Sequence, residues 1–387
     1  MSSTQILPSI DKTHKKAFGP ISVPERLLLG PGPSNAHPSV LEALALNPVG
    51  HLDPFYISLM GEVQELLRYA WQTHNRLTLP MSGTGSAAME ATIANVVEPG
   101  DKVLVAVNGY FGNRLVDMAS RYKADVITIE KNWGEAFSLE EIENALITHK
   151  PSLFAIVHAE TSTGVCQPME GIGNLCNKHG SLLLLDTVTS LGGVPLYLDE
   201  WKVDLAYSCS QKGLSCPPGL GPFTLNKRAE EKLNSRVGKV PNWYLDVSLL
   251  NKYWGSDRVY HHTAPVNMNF GIREALRLLA DEGLENSWSR HRKNAEELWQ
   301  GLESLGLSLH VPVDLRLPTL STVSIPEGVD GKAFALHLIN EFGVEIGGGL
   351  GVLAGKIWRI GLMGHNSRLE NVQKILNLFE TELPKFR

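Results

Sequence analysis

Two residues stand out by type and position. Lys212 lies in the run Ser208-Cys209-Ser210-Gln211-Lys212-Gly213-Leu214, just after an apolar segment, and Asp186 closes the run Ser181-Leu-Leu-Leu-Leu-Asp186. A lysine amine condenses with an aldehyde, and a fixed carboxylate keeps a pyridine nitrogen protonated so that the ring accepts electrons. One amine and one carboxylate at successive strand ends are what a pyridoxal phosphate site needs, with Lys212 as the Schiff-base lysine. The four leucines predict a strand buried on both faces, so Asp186 at its end must find a positive or donor partner. Lysines are usually solvated. Enclosed in a site, Lys212 would instead have a shifted pKa and serve as nucleophile and proton carrier.

Three further segments have matching chemistry. Ser82-Gly83-Thr84-Gly85-Ser86-Ala87-Ala88 follows an apolar run and opens a helical pattern. Small residues allow close approach there, and the helix-start amides favour an anion. The bland alternative is a tight strand-to-helix turn. The segment lacks a P-loop lysine and the third glycine of a dinucleotide fingerprint, so phosphate without a nucleotide is the expectation. Asn108-Gly109-Tyr110-Phe111-Gly112-Asn113-Arg114 ends the next strand, and Phe111 or Tyr110 could stack on a planar ring or simply pack in the core. His158-Ala159-Glu160-Thr161-Ser162-Thr163-Gly164 offers hydroxyls to a phenolic oxygen, or forms a Ser/Thr turn.

These segments need strands to carry them. Apolar runs at 77–81, 102–107, 125–129, 153–158, 181–186 and 205–208 alternate with helical patterns at 86–97, 113–122, 138–148 and 172–178. Ser138 with Glu141 forms a capping box. Strict alternation predicts an α/β domain with a mostly parallel sheet covered on both faces, its ligand beyond the carboxyl ends of the strands. Beyond about residue 285 the pattern changes to helices at 288–302 and 332–342, strands at 320–325 and 356–362, and a terminal helix started by Ser367 with Glu370. This predicts a smaller α+β domain. The expected organisation is an N-terminal arm (1–25), a large cofactor-binding domain (26–285) and a small C-terminal domain (286–387). In the run 356–362, Trp358, Ile360 and Leu362 share one face and Arg359 takes the other, free to grip a carboxylate.

Composition narrows the class. The 387 residues are 43% hydrophobic and 20% charged, with a net charge of -6, so no basic field exists to hold nucleic acid or an anionic membrane. No apolar stretch reaches the ~20 residues of a membrane span, and Met1 to Lys16 lacks an apolar signal region. Cys166, Cys176, Cys209 and Cys216 lack the paired spacing of a zinc site, and no metal is expected. They fit small buried hydrophobes in a reducing compartment, so the expected location is cytoplasmic.

In this order the segments resemble the class V branch of the fold-type I pyridoxal phosphate enzymes, nearest to the alanine-glyoxylate and serine-pyruvate aminotransferases. The matching pieces are Leu29-Gly-Pro-Gly-Pro-Ser34, Ser82-Gly-Thr-Gly85, Asp186-Thr-Val-Thr-Ser-Leu-Gly-Gly193, Ser210-Gln-Lys212, Tyr260-His-His-Thr263, Glu282-Gly-Leu-Glu-Asn286 and Lys356-Ile-Trp-Arg-Ile-Gly361. The resemblance implies a seven-stranded type of sheet and a homodimer with shared active sites. It makes Lys212 the Schiff-base lysine and Asp186 the partner of the pyridinium. Thr84, Gly85, Ser86 and Gln211 would belong to the phosphate cup, Thr161 would contact the phenolic oxygen, and Phe111 and Val188 would flank the ring. Tyr260 and Thr263 would reach the phosphate of the neighbouring subunit, and Arg359 would hold the substrate α-carboxylate. Phe111 and Ser86 depart from the animal enzymes of this group, which usually carry tryptophan and histidine there. The implied reaction moves the amino group of alanine or serine to glyoxylate. The alternatives are a class V enzyme for hydroxykynurenine or aminoethylphosphonate, a cysteine desulfurase, and a non-catalytic protein of the same fold.

Overall fold

In the computed structural model, residues 9–386 are described. Seven strands form the main sheet: β1 (Leu77–Ser82), β2 (Lys102–Val107), β3 (Asp125–Glu130), β4 (Leu153–Val157), β5 (Leu182–Asp186), β6 (Leu205–Tyr207) and β7 (Leu220–Leu225). Their spatial order is β1-β7-β6-β5-β4-β2-β3. Only β7 runs antiparallel, against both β1 and β6; the other pairs are parallel. Every residue of β4 and β5 is buried, as their continuous apolar runs require in a sheet with both faces covered.

Parallel strands put their carboxyl ends on one edge. Val157 stands opposite Asp186, and Asp186 opposite Tyr207. The helices Gly85–Val96 and Tyr110–Arg121 begin at the same edge, after β1 and β2. The second starts three residues before the helical pattern in the sequence, so Tyr110 and Phe111 occupy its first turn rather than a loop.

A second sheet contains β8 (Leu320–Ser324), β9 (Gly347–Gly348) and β10 (Ile357–Gly361), with β10 central and antiparallel to both neighbours. Trp358, Ile360 and Leu362 pack with Phe334, Leu338, Val372, Ile375 and Phe379 in a core separate from that of the main sheet. Residues 27–29, assigned by sequence to the large domain, join this second core instead. Leu27–Leu28 pairs in parallel with Val344–Glu345, and Leu29 is buried beside Trp358 and its neighbours. The boundary expected at 285/286 falls inside the continuous helix Leu284–Ser304, whose apolar face simply passes from one core to the other.

The Ser138–Glu141 capping box is present. Ser367 does not cap the last helix, which starts at Leu369 after Arg368; the Ser367 hydroxyl instead accepts a bond from Asn294. Of the expected arm, residues 1–8 lie outside the described residues, and 9–25 are exposed and form no helix or strand. No described helix is long and apolar enough to cross a membrane.

Candidate active site

Asp186 is buried at the end of β5. One carboxylate oxygen accepts the Val188 amide at 2.8 Å and the other the Tyr207 hydroxyl at 2.5 Å. Burial nevertheless raises its pKa to about 6, against the pull of these donors and of Lys212. A carboxylate in this state gains from a cation placed against it. Lys212 follows β6 on the same edge, and burial lowers its pKa below the usual lysine range. Its amine donates to the Pro31 carbonyl. The approach requires Gly32, where a Cβ would lie 2.6 Å from Lys212 Cδ. Ser34 fastens the same entry loop by donating its amide to the Gln211 carbonyl at 2.9 Å and its hydroxyl to the Lys212 carbonyl at 2.9 Å.

The helix Gly85–Val96 begins after Thr84 with no side-chain cap, which leaves its first amides open to an anion. Gly85 packs against the strand end that leads to Lys212, because a Cβ there would meet Cys209 Cβ at 2.7 Å. Gln211 holds a buried amide oxygen with no partner among the described residues. A half-turn of that amide would instead present its NH2, a donor suited to an anion. Arg114 reaches the Ser86 hydroxyl at 3.4 Å and lies 4.8 Å from the centre of the Phe111 ring.

Arg359 points away from the second core and is buried at 6% exposure. Its Nε donates to the Gly348 carbonyl at 2.7 Å and its Nη1 to the Thr161 carbonyl at 3.3 Å. Burial lowers its pKa to about 10. No carboxylate pairs with it within ion-pair distance among the described residues. Thr161, also buried, shares a hydroxyl bond with Thr189. Val188 is half-buried beside Asp186.

Tyr260 and Thr263 are exposed. Tyr260 lies against His51, with ring centroids 5.2 Å apart. Neither side chain hydrogen-bonds the Lys212 cluster of its own chain among the described residues, whereas His262 next to them reaches the Ser82 hydroxyl at 2.8 Å.

The aminotransferase class-V family profile matches residues 38–375. The chain belongs to the class-V aminotransferase family. It is 46% identical to the alanine-glyoxylate aminotransferase of Callithrix jacchus, over 97% of this chain and 91% of that one. A crystal structure of alanine-glyoxylate aminotransferase from Nostoc sp. superposes with a TM-score of 0.96 at 65% identity, covering 96% of this chain and 99% of the other. The ureidoglycine-glyoxylate aminotransferase of Bacillus subtilis gives 0.93 at 39% identity, covering 95% of each chain.

Class-V aminotransferases use pyridoxal phosphate, and this one is an enzyme of that kind. The residues fit the cofactor. A buried carboxylate short of a cation, a lysine amine with a depressed pKa, open helix-start amides and an unpartnered Gln211 amide meet on one sheet edge. Sequence reasoning did not single out Tyr207, Glu160, Arg114, Thr189 or Ser34. Ser34 lay inside a matched segment, and Arg114 lay one turn beyond Phe111 on a predicted helix. Tyr207 and Glu160 take their importance from bonds between distant strands, which no local pattern reports.

Proposed function

We propose that this aminotransferase moves the amino group of a small amino acid, alanine or serine, to glyoxylate, giving glycine and pyruvate or hydroxypyruvate. The observation that carries the reading is Arg359, a buried cation with no carboxylate partner among the described residues, anchored by two backbone carbonyls. One such cation suits a monocarboxylate. The names of the relatives point to glyoxylate as acceptor.

In this reading, Thr84, Gly85, Ser86 and Gln211 hold the cofactor phosphate, Asp186 meets the ring nitrogen, Phe111 and Val188 flank the ring, and Thr161 lies by the phenolic oxygen. Bound pyridoxal phosphate supplies an aldehyde carbon that exchanges amines and a ring that takes up electrons from the amino acid's α-carbon. The Asp186 carboxylate keeps the ring-nitrogen proton in place, because separating the pair would leave a buried charge alone. The Lys212 amine, once free, is a base that burial has made easy to keep neutral, and it moves the α-proton. Arg359 fixes the α-carboxylate with two parallel bonds and so sets which bond of the α-carbon faces the ring.

Tyr260 and Thr263, exposed and without a hydrogen bond to their own Lys212 cluster among the described residues, would complete the phosphate site of a second copy, making the enzyme a homodimer. The large and small domains would follow the two cores, with residues 27–29 lending a strand to the small one. Four free cysteines agree with a reducing, cytoplasmic setting. Burial pushes Cys209 up to about 11 and Cys166, Cys176 and Cys216 to about 12, a state that disfavours the thiolate a cysteine desulfurase uses. Replacing Arg359 by Ala is the direct test. The Michaelis constant for L-alanine should rise by roughly 10- to 100-fold, the effect of one charge-assisted pair, with a smaller change in kcat. An unchanged Michaelis constant would remove the residue from the substrate site.

A further inference from the structure

The hairpin Ala159–Cys166 carries a carboxylate that the reaction leaves unassigned. Glu160 is fully buried. Its Oε2 accepts the amides of Phe111 and Gly112 at 3.1 and 3.3 Å. Its Oε1 accepts the amide and hydroxyl of Ser162 at 3.0 and 2.6 Å, and the Ser162 hydroxyl in turn accepts the Tyr110 amide at 2.9 Å. The first three amides of the helix Tyr110–Arg121 are thus all taken by one hairpin. They have no local cap, since the residue before the helix is Gly109. A Cβ at Gly109 would lie 2.2 Å from Glu160 Cγ, so the glycine makes room for the carboxylate.

The same hairpin governs two other parts of the site. Thr161, the next residue, gives its carbonyl to Arg359 and its hydroxyl to Thr189. The Thr163 carbonyl accepts from Thr322 at 2.8 Å, and the Gly164 carbonyl accepts the Leu317 amide at 2.9 Å, which ties the turn to the small sheet. We propose that Glu160 is a positioning residue for the cofactor: through the helix-start amides it fixes the first turn that carries the Phe111 ring. This rests on the cofactor site proposed above. The helix start favours the anionic form, while burial opposes it and raises the pKa to about 7. The group is kept in place by its donors, not by a salt bridge.

Glutamine has the same shape but only one accepting oxygen, so in Glu160→Gln either the Phe111 and Gly112 amides or the Ser162 amide and hydroxyl must face an NH2 group. The test compares the parent holoenzyme with Glu160→Gln, Phe111→Leu and the double variant. It reads the dissociation constant of pyridoxal phosphate and the circular dichroism of the bound cofactor, with the unfolding midpoint as control. Glu160→Gln should bind the cofactor roughly tenfold more weakly and alter its dichroism. In the Phe111→Leu background it should add little, because both changes act on one ring. Unaltered cofactor affinity, or a loss that adds in full to that of Phe111→Leu, would overturn the proposal. If Glu160→Gln does not fold, Gly109→Ala tests the same point by displacing the carboxylate, and it should show the same loss. Transfer from L-alanine to glyoxylate by the parent enzyme is assayed alongside, so a wrong substrate would register separately from a wrong role for Glu160.

Discussion

Asp186 meets the Val188 amide and the Tyr207 hydroxyl, and neither neutralises it. In the proposed site, its need for a cation would hold the ring-nitrogen proton and so support electron acceptance by the cofactor. Asp186→Asn keeps the volume and an acceptor for the Val188 amide, so the variant should fold and still bind pyridoxal phosphate. Without a fixed negative charge its kcat should fall by about 100-fold or more; near-full turnover by the cofactor-loaded variant would contradict the role. The shared sheet edge of Asp186 and Lys212 was legible in sequence because each follows an apolar run at a strand end. Arg359 was legible because alternation along one strand separated it from Trp358 and Ile360. Glu160 and Tyr207 were not, since each works through partners 49 and 21 residues away.

Elements supply what single residues cannot. The alternation of apolar runs and helical patterns gave six of the seven main strands and the edge on which the site lies. It did not give β7, whose Gly221 and Pro222 weaken a strand signal and whose antiparallel place between β1 and β6 depends on long-range pairing. The junction between the two cores was also hidden, because one helix, Leu284–Ser304, serves both. His291 on that helix is fully buried, bonds the Ser287 carbonyl through Nδ1, and accepts the Gly364 amide at Nε2, 2.9 Å away. This fixes the neutral ring, and burial lowers its pKa to about 4. Between about 6.5 and 4 the unfolded chain therefore takes up a proton that the folded one refuses, and stability is lost as pH falls. The unfolding free-energy difference between the parent and His291→Asn should narrow by about 3 kcal/mol from pH 7 to pH 4. A gap independent of pH would mean that His291 titrates normally.

At the scale of the whole molecule, the proposed function gives exposed Tyr260 and Thr263 to the site of a second copy. Mixed dimers test this. Lys212→Ala and Tyr260→Ala chains, each inactive or nearly so alone, should recover about a quarter of the parent activity when refolded together in equal amounts, because half of the dimers are then mixed and one of the two sites in each has an intact lysine and an intact partner tyrosine. No recovery would mean that Tyr260 serves its own chain. The central claim, that the Lys212–Asp186 edge exchanges amino groups through pyridoxal phosphate, is tested most directly by the absorbance spectrum of the purified holoenzyme during stepwise addition of substrates. The account predicts a visible cofactor band that disappears with L-alanine or L-serine and returns with glyoxylate. A band that no amino acid converts, or no band after addition of pyridoxal phosphate, would contradict it.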